Sequence, residues 1–167
     1  MRRRLPAVLL AASFMMVPAL VGSSVSASPD APTLAPAARK VVGMLAIPRL
    51  GINVPIRVGT TDAVYDIGVG QYPGTARPGA EGNLVIGGHR TSGRRPFAQI
   101  QKLKVGDPII VTSGGRTHTY LVTKSFVVKP TAMWITHPTA EPVITLFACH
   151  PRGSTSKRYV VRGVLQG

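Results

Sequence analysis

From residue 44 onward, seven short apolar or alternating runs recur between Gly and Pro punctuation: 44–47, 52–58, 83–86, 108–112, 117–128, 143–148 and 158–165. A β-strand sends successive side chains to opposite faces, so runs of this length and spacing predict an all-β sandwich or barrel. In 143–148, Ile144, Leu146 and Ala148 share the face turned to a core, while Thr145, Phe147 and Cys149 share the other. Pro151 stops the pairing just beyond. Gly114-Gly115 can supply the positive φ of a primed turn, so 108–112 and 117–128 are expected to form an antiparallel hairpin. In its second arm Tyr120, Val122, Phe126 and Val128 share one parity, and Lys124 interrupts them, marking an exposed stretch or a bulge. Phe97, Ile100 and Leu103, three apart after Pro96, predict one or two helical turns over 96–103 that end at Gly106. A second short turn is expected over 62–67, capped by Thr61 or Asp62.

The N-terminus has a different pattern. Arg2, Arg3 and Arg4 precede a stretch, 5–21, that is apolar apart from Ser13, and Val25-Ser26-Ala27 fits a small-residue cleavage site. Its length lies between a signal-peptide core and a bilayer span, so 1–27 reads as a signal peptide or an N-terminal membrane anchor, with both open. Residues 28–42, rich in Pro and Ala, read as a linker, and 43–167 as one folded domain.

Export changes the meaning of the single cysteine. Cys149 has no internal disulfide partner, so it is either a buried apolar filler or an unpaired thiol at a strand end. The formal net charge is +14, and from residue 39 onward seventeen Lys and Arg face five acids, leaving +12. Such a domain is drawn to anionic surfaces. Nucleic acid is disfavoured, because the chain is exported, aromatic residues are 5% and no nucleic-acid-binding motif is present. The six acids are scattered and the four histidines lack zinc-ligand spacing, so neither a metal nor a cofactor is expected.

A thiol that acts as a nucleophile needs a base or a cation beside it. Four histidines are available: His89, His118, His137 and His150. As a strand neighbour, His150 points away from the face of Cys149, while His118 follows a hairpin turn and His137 lies in a loop. His89 ends an apolar strand after Gly87-Gly88, a flexible pair that can place an imidazole at an edge. Arg158 offers donors for a substrate carbonyl or an oxyanion, with Arg162, of the same parity, as its competitor. Met133-Trp134-Ile135 either lines an apolar slot or is core.

The order His, Cys, Arg and the segments carrying it resemble the sortases, cysteine transpeptidases of Gram-positive surfaces. Thr145-Leu146-Phe147-Ala148-Cys149 is similar to the family pattern Thr-Leu-x-Thr-Cys except at Ala148, which removes a hydroxyl beside the nucleophile. Asn83-Leu84-Val85-Ile86-Gly87-Gly88-His89-Arg90-Thr91 and Arg158-Tyr159-Val160-Val161 resemble the strands delivering the family histidine and arginine. Ile47-Pro48-Arg49-Leu50, Pro96-Phe97, Leu103 and Gly106-Asp107 extend the resemblance to about residues 43–165. Gly88-His89-Arg90-Thr91, the Pro96-Phe97 pair and Cys149-His150-Pro151 look most like class E, with class D as the alternative.

The resemblance implies a single closed eight-stranded β-barrel with one or two short helical turns, one strand more than the pattern shows. It implies Cys149 as nucleophile, His89 as proton donor and acceptor, and Arg158 as oxyanion stabiliser or substrate-positioning group. Thr145, Ala148, Trp134 and Met133 are candidates for substrate binding. The implied substrate is a Leu-Pro-x-Thr-Gly or Leu-Ala-x-Thr-Gly sorting signal on a surface protein, and the implied acceptor is the peptide amine of a lipid II-type cell-wall precursor. With water as acceptor, the same chemistry is a slow endopeptidase. The protein would act as a monomer without a cofactor, anchored on the extracytoplasmic face of the membrane or secreted to the cell wall. A papain-like hydrolase is disfavoured because it generally places Cys before His. A non-catalytic, basic, cell-wall-binding β-barrel is the alternative function.

Overall fold

The computed structural model describes residues 40–167. The signal peptide or anchor at 1–27 and most of the expected linker lie outside the described residues. Eight strands follow in order: β1 (Val41–Ile47), β2 (Ile52–Val58), β3 (Val69–Gln71), β4 (Asn83–Gly88), β5 (Pro108–Ser113), β6 (Arg116–Val128), β7 (Val143–His150) and β8 (Lys157–Leu165). They pair in the order β1-β2-β3-β4-β7-β8-β6-β5, and β5 returns to β1 to close a barrel. Closure leaves no sheet edge among these strands to recruit a foreign one. No helix of the described residues is long and apolar enough to cross a membrane.

The expected all-β barrel is therefore present, and β3 is the strand the pattern does not reveal. At three residues it is too short to display an alternation; it exists because it pairs parallel with β2 and antiparallel with β4. β1 begins at Val41, so the last two positions assigned to the linker belong to a strand. The turn over 62–67 is an α-helix, α1 (Asp62–Ile67), whose N-cap is Thr61 without a side-chain capping bond. The helix expected over 96–103 is reduced to a 3-10 turn at Ile100–Lys102 after a series of turns. Its apolar positions still do what their spacing requires, since Phe97, Ile100 and Leu103 all pack into the core.

The primed turn forms, with Gly114 at φ 56° and Gly115 at φ 75°. The register of β6 shifts against β8 between Val122 and Lys124, the bulge that Lys124 marks. Tyr120 and Val122 before it face the core. Beyond it Phe126 pairs with Val160, itself opposite Phe147, and Val128 pairs with Arg158, itself opposite Cys149. One extra residue thus moves Phe126 and Val128, of the same sequence parity, to the outer face that bears the cysteine. Two segments of the family resemblance also meet: Arg49 pairs with Asp107, whose carboxylate accepts from the Lys104 amide at 2.7 Å.

Candidate active site

Strand register brings the three candidate side chains together. β4 lies parallel to β7 with Gly87 beside Phe147, so His89 and Cys149, each two residues further on, emerge at the same level and on the same face. Across the antiparallel β7/β8 pair, Cys149 lies directly opposite Arg158. All three line one cleft of about 460 Å³. Its walls are Asp62 and Tyr65 of α1, the 132–136 loop before β7, and the Gly153 to Thr155 stretch between β7 and β8. The thiol is half-buried rather than sealed, which excludes the apolar-filler reading.

The two glycines before His89 do not act as a hinge. Both lie in β4 and neither has a positive φ. A Cβ on Gly87 would collide with the Tyr65 hydroxyl and meet the Phe147 ring at 2.6 Å, and one on Gly88 would meet the Phe97 ring at 2.9 Å. Gly87 therefore admits two aromatic rings on the cleft face, and Gly88 admits a third on the core face.

The His89 imidazole is held from α1. Its Nε2 is 3.3 Å from Asp66 Oδ1 and 3.8 Å from Asp62 Oδ1, and the Tyr65 ring stands edge-on at 5.5 Å. A carboxylate at one ring nitrogen orients the ring. The Tyr65 hydroxyl is buried without a hydrogen-bond partner among the described residues. Burial pushes its phenol well above the ordinary value, the neighbouring Cys149, Tyr72 and Asp62 add to the rise, and Arg158 opposes it. Arg158 is steadied by Nη1 donating to the carbonyls of Thr155 at 2.8 Å and Lys157 at 3.0 Å. A guanidinium has five donors, so these bonds leave others for a substrate.

The remaining candidates separate. Met133 lines the cleft and is 50% exposed. Ala148 lines it too, but its side chain packs in the core, so the methyl in place of the family hydroxyl points inward. Trp134 and Thr145 are not among the lining residues. Trp134 stacks on Phe126 at 5.6 Å, the Arg162 guanidinium lies 5.7 Å from the Trp134 ring centre, and Ile135 of its trio is buried. Thr145 is fully buried and belongs to a network that holds the 132–136 loop: its hydroxyl donates to Asn83 Oδ1 at 2.7 Å and accepts from Arg162 Nε at 3.2 Å. Asn83 Nδ2 donates to the carbonyls of Ile135 at 2.8 Å and His137 at 3.0 Å. Arg162, the competitor of Arg158, is committed to that network. His118 covers Gly79, His137 is exposed, and His150 contacts Arg90, so His89 is the histidine at the thiol's cleft.

Tyr65, Asp66 and Asn83 were not singled out from sequence. Asn83, a polar residue opening an apolar strand, carried a usable signal, whereas Tyr65 and Asp66 reach the site only through the packing of α1. Among the described residues no three His, Cys, Asp or Glu side chains are grouped to hold a metal.

Comparison with known proteins agrees with this geometry. A family model described as sortase domain matches residues 45–166. The chain is similar to sortase SrtE1 of Streptomyces coelicolor, 33% identical over 136 residues, covering 72% of this chain and 39% of that protein. It is also similar to sortase D of Bacillus subtilis, 30% identical over 125 residues, covering 72% of this chain and 62% of that protein. The chain thus spans less than two thirds of the length of either relative. Among solved structures, a lid mutant of sortase A from Corynebacterium diphtheriae superposes with a TM-score of 0.73 at 32% identity, covering 77% of this chain and 71% of that chain.

Proposed function

This chain belongs to the sortase family, and from that premise we propose that it is a cysteine transpeptidase cleaving a sorting signal between Thr and Gly. The observation that carries the reading is the convergence of Cys149, His89 and Arg158, from three strand ends, on one open cleft. Cys149 Sγ attacks the Thr carbonyl, and Arg158 donates to the oxygen as it gains negative charge. Collapse of the tetrahedral intermediate breaks the Thr–Gly bond, His89 gives its proton to the departing amine, and a thioester remains on the sulfur. An incoming amine then attacks the thioester, losing a proton to His89, and the thiolate leaves. Water in place of the amine gives hydrolysis.

The acceptor in this reading is the peptide amine of a lipid II-type wall precursor, the donors are surface proteins bearing the signal, and the enzyme works as a monomer. It sits on the extracytoplasmic face of the membrane or in the wall, where its positive charge is drawn to anionic polymer. The Gly88-His89-Arg90-Thr91 and Cys149-His150-Pro151 segments favour class E, which is associated with alanine in the second position of the signal; class D is the alternative. Met133 and Ile135 of the cleft wall, with Ala148 beneath, suit the apolar residues of such a peptide.

The test is incubation with a Leu-Ala-x-Thr-Gly peptide and an amine, followed by mass spectrometry. The reading requires an acyl adduct on Cys149 that the amine discharges, and a stronger response to the Leu-Ala than to the Leu-Pro peptide supports class E. If Cys149→Ala turns over the peptide as fast as wild type, the mechanism is wrong. A non-catalytic wall-binding barrel would instead show no adduct and salt-sensitive wall binding independent of Cys149.

A further inference from the structure

His89 and Cys149 are each followed by a basic residue, Arg90 just beyond β4 and His150 at the end of β7, and those two residues meet. Arg90 Nη1 is 2.7 Å from His150 Nδ1 and 3.4 Å from the carbonyl of Cys149 itself, while Nη2 donates to Gln101 Oε1 at 2.8 Å. The Arg90 guanidinium also lies over the Tyr159 ring, 5.9 Å from its centre. Arg90 is 4% exposed, and among the described residues no carboxylate pairs with it. A guanidinium only donates, so His150 Nδ1 must accept, which makes the ring neutral with its hydrogen on Nε2. Protonating His150 would place a hydrogen on Nδ1, break the bond to Arg90 and set a second cation against a buried one.

We propose that Arg90 and His150 form a positioning clamp holding the strand end of the nucleophile against the strand end of the proton carrier, and that the clamp opens when His150 is protonated. Neither residue is assigned chemistry; both act through Cys149 and His89, so the inference rests on the proposed reaction. The groups facing His150 are Arg90 beyond β4, Lys157 opposite it on β8 and the Tyr159 ring at 5.7 Å, with Arg152 acting on Arg90 from the β7–β8 loop. Two of the three are cations. Burial, then Arg90, then Lys157 hold the imidazole below its ordinary value of 6.5, in the direction the geometry requires. The neutral clamp is complete above that value and is lost as pH falls through the lower value in the folded protein.

The full-length chain and five variants test the clamp: Arg90→Lys, Arg90→Gln, His150→Ala, His150→Asn and the double variant Arg90→Gln/His150→Ala. Single-turnover acylation by a Leu-Ala-x-Thr-Gly peptide and alkylation of Cys149 by iodoacetamide are measured from about pH 5 to 8. Arg90→Gln and His150→Ala should each slow acylation about tenfold or more, with a smaller effect on peptide KM. The double variant should be no slower than the worse single variant, because one interaction is lost in each. Arg90→Lys keeps the charge but not the fork, and should fall between wild type and Arg90→Gln. The amide oxygen of His150→Asn can accept from Arg90 and does not titrate, so this variant should recover most of the loss seen in His150→Ala and lack part of the wild-type acid limb. Additive losses, an Asn variant as slow as the Ala variant, or an unchanged acid limb would overturn the proposal. If the Arg90 variants do not fold, the His150 pair and its pH profiles decide. If no peptide acylates the wild type, the proposed reaction fails on its own; unequal alkylation rates with the same Asn rescue would still support the clamp, and equal rates would sink it.

Discussion

Two rungs of the β7/β8 ladder, four residues apart, carry nearly the same pair of groups. At one, Thr145 faces Arg162; at the other, Cys149 faces Arg158. In both an arginine lies across the strand from a side chain with a nucleophilic atom, yet only the second rung opens on the cleft. The first is closed over by Asn83, Ile135 and Trp134, and its polar atoms are spent on one another. The thiol and guanidinium of the second have no such cover. Residue type marks where chemistry is possible, whereas the loop that covers or leaves a rung decides whether it is a site. Here the covered rung anchors one wall of the open one.

The largest expected effect is at the open rung. Cys149→Ala should abolish the acyl adduct and lower turnover by about 10⁴-fold or more, while thermal denaturation shows a stability change under about 1 kcal/mol. Arg158→Ala should lower kcat about 10²- to 10³-fold and leave the melting temperature nearly unchanged. The covered rung should behave in reverse: Thr145→Val leaves Asn83 Oδ1 and Arg162 Nε without their partner and should cost about 1–3 kcal/mol of stability. Its effect on turnover should be smaller than that of Arg158→Ala and appear chiefly in KM, through a loosened Met133 wall. Equal kinetic effects from Arg158→Ala and Arg162→Ala would erase the distinction between the rungs.

Gly87→Ala sharpens the comparison from the neighbouring strand. The added methyl must displace both Tyr65 and Phe147, at about 1–3 kcal/mol, and thermal denaturation with peptide kinetics should show both a lower melting temperature and reduced turnover. The smallest effect belongs to Asp107, far from either rung. Burial raises its carboxylate, but the Lys104 amide and Arg49 outweigh this and hold it below the ordinary 3.8. The stability it adds is complete above that value and is lost as pH falls through the lower value in the folded protein. Asp107→Asn should therefore flatten the acid end of the stability curve by about 1 kcal/mol, measured by urea denaturation at several pH values, without changing turnover at neutral pH.

Much of this was legible in advance because strands announce themselves locally. Ile144, Leu146 and Ala148 declare their core face by alternation, Gly114-Gly115 declares its turn, and Lys124 declares the bulge. What escaped depends on contacts distant in the chain. β3 is a strand only because β2 and β4 flank it, and Gly87-Gly88 looked like a hinge because the rings that require it, Tyr65, Phe147 and Phe97, come from other elements. Thr145 and Trp134 neighbour the right residues in sequence to suggest substrate contact, whereas burial draws Thr145 into the loop network and stacking sets Trp134 on Phe126.

The all-β pattern, the lone thiol, the basic charge and three strand ends able to carry nucleophile, proton carrier and cation are all readable from the chain, since each is a property of adjacent residues or of composition. Folding in three dimensions is what runs β4 and β7 parallel in a register that levels His89 with Cys149, puts Arg158 rather than Arg162 on the cleft that holds the thiol, and lets Arg90 reach across to His150. Register and loop cover are set by closing the barrel between segments some sixty residues apart, and no local run of side chains encodes which of two equivalent rungs will be left uncovered.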